Sequence, residues 1–176
     1  RQCAKNPGRG RYCTRDQNRK EKVIAMKERR KPTNEVRLVL PSNSINEGFA
    51  RGVSAAFVSQ VNPTITELSD VKCAVSEAVT NCIVHAYADT IGLIYITMKL
   101  YENREFRIEI KDKGRGIPNI EEAMQPLFTT DKENERSGMG FTIMENFMDS
   151  LKVTSVAGGG TKVVMSKRFS AIPRLK

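Results

Sequence analysis

The chain is most informative first in what it lacks. No apolar run approaches the ~18 residues a membrane span requires, and the N-terminus carries no apolar signal-peptide core. A soluble, cytoplasmic protein is therefore expected. It has four cysteines and a single histidine. Cys73 and Cys82 fall in one predicted helix, ~13.5 Å apart along its axis, which is far beyond disulfide reach. Cys3 and Cys13 have no histidine near them, so a zinc site is not expected, and free thiols fit a reducing compartment. There is no internal repeat. There is no GKS or GKT for a Walker loop, and no GxGxxG opening a Rossmann helix.

What is present begins with charge. The formal net charge is +9, but the excess of Lys and Arg lies in residues 1–32 and the rest of the chain is balanced. Such a block reads as a solvated tail or, alternatively, as a nucleic-acid arm. Arg1 is not a start residue and the first methionine is Met26, so a truncated extension or a misplaced start remains a third reading. Pro32 marks its end. The organisation expected is a tail over 1–33, one domain over 34–170 and a short tail over 171–176.

Within the domain, EVRLVL (Glu35 to Leu40) alternates as a strand, and Pro41 to Ser44 offers a turn and a helix cap. A helix to about Val61 is predicted, with Phe49, Val53, Phe57 and Val61 as its apolar stripe. Asn62-Pro63-Thr64 breaks it and caps a long helix from Ile65 to Ala88. Leu68, Val71, Val75, Ala78, Val79, Cys82 and Ala86 form the stripe of that helix. Glu77 and Asn81, one turn apart, project from one flank toward a cleft beside the sheet. Gly92 to Tyr101 and Glu105 to Asp112 read as a hairpin that leaves Asp112 at a strand end. Periodicity then weakens from Gly114 to Arg136, as in a functional loop or lid. Gly138-Met139-Gly140 opens a helix, with Met139, Met144 and Met148 expected in the core, and a glycine-turned hairpin closes the chain. The fold class is α+β: a two-layer sandwich of a mixed, mostly antiparallel sheet with helices on one face.

Singly these motifs are weak; jointly they are specific. EAVTN followed by HAY, DKGRGI, ERSGMGF and GGGT, in this order, closely resemble the motif boxes of the GHKL (Bergerat) ATP-binding fold, shared by histidine kinases and gyrase B. Within it, QPLFTT and ERSGMGFTIMENFMD are similar to the anti-sigma F factors of spore-forming bacteria, which are serine-protein kinases. The resemblance covers about Asn34 to Phe169.

It implies ATP and Mg²⁺ as cofactors, with Asn81 on the metal and Glu77 as the general base for a serine hydroxyl. Asp112 would take the adenine amino group, assisted by Thr161, and Gly114 and Gly116 would let the backbone approach the base and ribose. The N–H groups of Gly138, Met139 and Gly140 would bind phosphate at a helix start. Arg136 would contact the γ-phosphate, and Thr130 would belong to the lid. Arg51, in NEGFAR, matches a residue that contacts protein partners. The partners implied are a sporulation sigma factor, an anti-anti-sigma protein as phosphorylation substrate and a second copy in a homodimer; neither membrane nor direct nucleic-acid binding is expected. His85 reads as a structural histidine, and the chain offers no other as phosphoacceptor. The competing reading is an ATP-gated binding module without kinase activity.

Overall fold

The computed structural model describes residues 31–125 and 139–170. Five strands form its sheet: β1 (Asn34–Pro41), β2 (Leu93–Leu100), β3 (Glu105–Lys111), β4 (Ser150–Val156) and β5 (Gly160–Arg168), in the spatial order β1-β2-β3-β5-β4. Every pairing among them is antiparallel, so the mixed sheet expected from sequence resolves to an antiparallel one.

The register follows from the alternation of apolar residues. Leu38, Ile96, Ile110, Val163 and Val153 stand side by side in one row across all five strands. One residue further along each strand the side chains change face. The neighbouring row is Arg37, Thr97, Glu109, Val164 and Lys152, mostly polar. A slip by one position would exchange the two sets, which pins the pairing.

Helices cover the apolar face. They are α1 (Ile45–Val58), α2 (Ile65–Asn81), a four-residue α3 (Ile120–Ala123) and α4 (Gly140–Phe147). α2 is central, packing on α1 at one side and α4 at the other. Its Val71, Ala74, Val75, Ala78 and Val79 share one core with Phe57, Phe106, Ile108, Met144 and Met165. Each large apolar side chain so buried contributes ~1.5–3 kcal/mol.

Several local expectations change. Phe49 is 53% exposed, and Ala50 and Ser54 take the buried positions instead. The reason is geometric: steps of four residues overrun a 3.6-residue turn by ~40° each, so Phe49 is carried off the stripe that Phe57 anchors. Ser44 precedes α1 without a side-chain capping bond. Thr64, by contrast, caps α2 as read, in a reciprocal box with Glu67, after Asn62 turns left-handed at φ 47°. Residues Cys82–Ala86 continue α2 as a π turn rather than an α-helix, closed by the Tyr87 N–H donating to the Cys82 carbonyl at 3.2 Å. α3 lies in the stretch read as an irregular loop, begun by Asn119, whose side chain accepts from the Glu122 N–H. Met144 and Met148 are buried, but Met139 is 40% exposed at the start of α4. Among the described residues no helix is long and apolar enough to cross a membrane.

Candidate functional site

A cavity of about 860 Å³ opens between α2, its π turn, the loop after β3 and the start of α4. Glu77, Asn81, Asp112, Gly116, Met139, Gly140 and Thr161, all chosen from sequence, line it together. Gly114 lies beside Asp112 and packs on the π turn, as described below. Thr130, Arg136 and Gly138 fall outside the described residues.

One end is built on Asp112, the residue that follows β3. It is only 3% exposed. Its Oδ1 accepts from the Gly114 N–H at 2.9 Å and from the Thr161 N–H at 3.1 Å, and its Oδ2 from the Cys82 thiol at 3.7 Å. Burial pushes the Cys82 thiol well up, and the Asp112 charge beside it adds to the shift, so the sulfur stands as an S–H donor. Three separate elements thus hold one carboxylate.

The loop after Asp112 is pressed against its surroundings. A Cβ on Gly114 would lie 2.3 Å from the Ala86 carbonyl oxygen, and one on Gly116, at φ +69°, would lie 2.1 Å from that of Val156. Only glycine fits either position. Ser155, which sequence reading passed over, ties the parts together: its Oγ accepts from the Ile117 N–H at 2.7 Å and bonds the Thr161 hydroxyl at 2.8 Å. Tyr87 does the same on the other side, accepting from the Lys113 N–H and donating to the Leu93 carbonyl. Neither had a periodic signal, because their partners lie 5 to 38 residues away.

The other end is built on α2 and α4. Glu77 and Asn81 are half-buried, as expected of residues on the rim of a core stripe. They face Gly140, the first residue of α4: a Cβ there would stand 3.1 Å from Glu77 Oε2 and 3.5 Å from both Asn81 side-chain polar atoms. The first N–H groups of a helix have no intrahelical acceptor, so α4 opens as a donor surface next to a carboxylate and an amide. His85 is half-buried and lines the cavity. No cluster of three or more His, Cys, Asp or Glu that could hold a metal ion occurs among the described residues. Arg51 lies away from the cavity on α1, paired with Glu47 at 3.4 Å, and Glu47 also accepts from the Ser76 hydroxyl at 2.6 Å.

The sequence matches the histidine kinase-like ATPase domain family over residues 41–167. It is 55% identical over 134 residues to an anti-sigma F factor of Caldanaerobacter subterraneus, covering 76% of this chain and 93% of that protein. The chain belongs to the anti-sigma F factor family. Another relative, the anti-sigma F factor of Clostridium acetobutylicum, is 51% identical over 139 residues, covering 79% of this chain and 96% of that one. In fold, the chain resembles the RsbU and RsbW domains of a Mycobacterium tuberculosis protein, with TM-score 0.60 at 19% identity over 84% of this chain and 36% of that one. A second likeness is to ShkA crystallised with AMPPNP, with TM-score 0.50 and 17% identity over 76% of this chain and 32% of that one. Family and fold agree on a Bergerat-type, kinase-like ATPase domain in an anti-sigma factor, and the cavity lies within the matched span.

Proposed function

We propose that this anti-sigma factor is an ATP-dependent protein-serine kinase. In this reading it holds a sporulation sigma factor, phosphorylates a serine of the anti-anti-sigma antagonist, and works in the cytoplasm as a homodimer. The observation that carries the enzymatic reading is the grouping of Glu77 and Asn81 around the start of α4, in the same cavity as the anchored Asp112. A binding module alone has no use for a carboxylate there.

The residues present fit the implied nucleotide and metal. The cavity is of the size that holds a small organic ligand, and at Gly140 the bare backbone leaves open the space beside Glu77 and Asn81 that a Cβ would enter. A protein-only cation cage is missing among the described residues, as suits Mg²⁺, which keeps waters and binds through one or two protein ligands plus phosphates. When bound, the ion neutralises phosphate charge. Asn81 supplies its protein oxygen. Asp112 would accept from the adenine amino group with Thr161 beside it, and Met139 and Gly140 would cradle the phosphates; the sequence resemblance alone proposes Gly138 and Arg136 for the same phosphates and Thr130 for a lid. Glu77 takes the proton of the serine hydroxyl as its oxygen attacks the γ-phosphorus and ADP leaves. Arg51 contributes to the partner-binding surface.

The test is transfer of label from γ-labelled ATP to the antagonist. Glu77→Gln should bind ATP nearly as well as the parent and lose transfer by about 100- to 10,000-fold. Transfer at the parental rate would remove the base from Glu77.

A further inference from the structure

Cys82 reads in the sequence as a small buried hydrophobe, and its 4% exposure agrees. Its hydrogen bond does not follow from that role. The thiol sits at the first residue of the π turn, lines the cavity, and donates to Asp112 Oδ2 at 3.7 Å. The other carboxylate oxygen is already committed to two backbone donors, Gly114 N–H and Thr161 N–H, which come from different segments.

A carboxylate oxygen has two acceptor directions. With Oδ1 taken twice, the acceptor capacity left for a ligand is on Oδ2, and the thiol occupies one of its two directions. Without the thiol, nothing among the hydrogen bonds made by Oδ2 in the described residues holds that oxygen in place. The π turn is part of the device. It presents the Ala86 carbonyl to the Arg115 N–H at 3.2 Å, which fixes the loop whose Gly114 N–H holds Oδ1. The π turn therefore acts on both oxygens, directly on Oδ2 through the Cys82 thiol and indirectly on Oδ1 through the loop it holds.

We propose that Cys82 is a positioning residue that aims the Asp112 carboxylate and thereby sets the preference for a 6-aminopurine over a 6-oxopurine nucleotide. This deepens the ATP-site reading above and rests on it. A 6-amino group donates to the free direction of Oδ2. A 6-oxo group sets oxygen against oxygen there, and an oxygen held in place cannot turn away from it. Releasing the pin weakens the first contact and relieves the second, so the two affinities converge.

The experiment measures equilibrium binding of ATP and of inosine triphosphate, its 6-oxo analogue, to the full chain and to Cys82→Ser, Cys82→Ala, Cys82→Val and Asp112→Asn. The ratio of the two affinities is independent of the fraction of each variant that folds. Cys82→Ala and Cys82→Val should lower the ATP preference by about fivefold or more, the scale of a hydrogen bond to a charged group. Cys82→Ser, which keeps a donor, should retain most of it. A parental ratio in the Ala and Val variants, with the ratio lost in Asp112→Asn, would overturn the role of Cys82 and leave the ATP site standing. A Ser variant that behaves like Ala would also overturn it, since packing and not donation would then be at work. A parental ratio in Asp112→Asn would overturn both this inference and the placing of adenine at Asp112.

Discussion

The Glu77 carboxylate lies 3.1 Å from the point where a side chain on Gly140 would begin, so that carboxylate and the start of α4 share one space. Gly140→Ala should fold normally, because alanine favours a helix and Gly140 opens one. The new methyl group must push the carboxylate aside by a few tenths of an ångström. Phosphoryl transfer should fall about tenfold or more through misplacement of the base, while the melting temperature stays within about 2 °C of the parent. Parallel measurement of transfer rate and thermal unfolding checks this; an unchanged rate would mean Glu77 is not held at this distance during transfer.

Asn81→Ala should separate metal-dependent from metal-independent binding. Asn81 is half-buried, so its truncation removes a polar side chain more than a packing element. ATP affinity measured with Mg²⁺ should drop about tenfold or more, the loss of a ligand to a charged group, whereas affinity in a chelator should change little. Equal losses in both conditions would argue against a metal ligand at Asn81.

Two of the three glycines at the β4–β5 turn make a controlled pair. Gly160 has φ +87°, and a Cβ there would stand 2.3 Å from the Asp112 carbonyl oxygen, whereas Gly158, at φ +72°, has nothing within 4 Å. Gly158→Ala should cost only ~1 kcal/mol, the strain of a left-handed alanine. Gly160→Ala adds a backbone collision and should cost ~2 kcal/mol or more, weakening nucleotide binding with it. Denaturant unfolding of the two variants would show the ranking; the reverse order would contradict the turn geometry.

Much of this site was legible because it is written in short-range spacing. Glu77 and Asn81 share a helix flank, Asp112 stands at the end of a strand pattern, and Asn62-Pro63-Thr64 marks a break and a helix cap. What was hidden depends on contacts made across the fold. Cys82 meets Asp112 across 30 residues, and Ser155 meets Ile117 across 38. Neither leaves a periodic trace. The π turn escaped for another reason: it changes the hydrogen-bond step without changing composition, so CIVHAY reads as helix to any rule based on apolar spacing. Phe49 was misplaced by an approximate period, not by a long-range contact.

Acid stability should reflect Glu67. Burial alone would raise its carboxyl, but the Ser170 and Thr64 N–H groups donate to it at 2.8 Å each and hold it down to about 2. A carboxyl depressed in the folded state stabilises the fold above its unfolded value near 4.5, and that contribution disappears as pH falls toward 2. After allowance for solvent screening it is on the order of 1 kcal/mol. Glu67→Gln should be less stable at neutral pH, and its deficit should shrink between pH 4.5 and 2; a deficit constant across that range would assign the loss to packing.

Arg51 gives a test of the partner surface. Arg51 is on the exposed side of its pair with the partly buried Glu47, so Arg51→Ala should change stability by no more than about 1 kcal/mol. Retention of the sigma factor in a pull-down with ATP should nonetheless fall. Undiminished retention would confine Arg51 to its ion pair.

α2 and its π turn bring two groups to one cavity, Glu77 and Asn81 beside Gly140 and Cys82 against Asp112. Five residues of helix separate Glu77 from Cys82, a rise of ~7.5 Å. The helix is clamped by the core on its inner side, so this interval behaves as a fixed gauge. In the proposed reading, a ligand would have to match it in length to touch Asp112 and Glu77 at once.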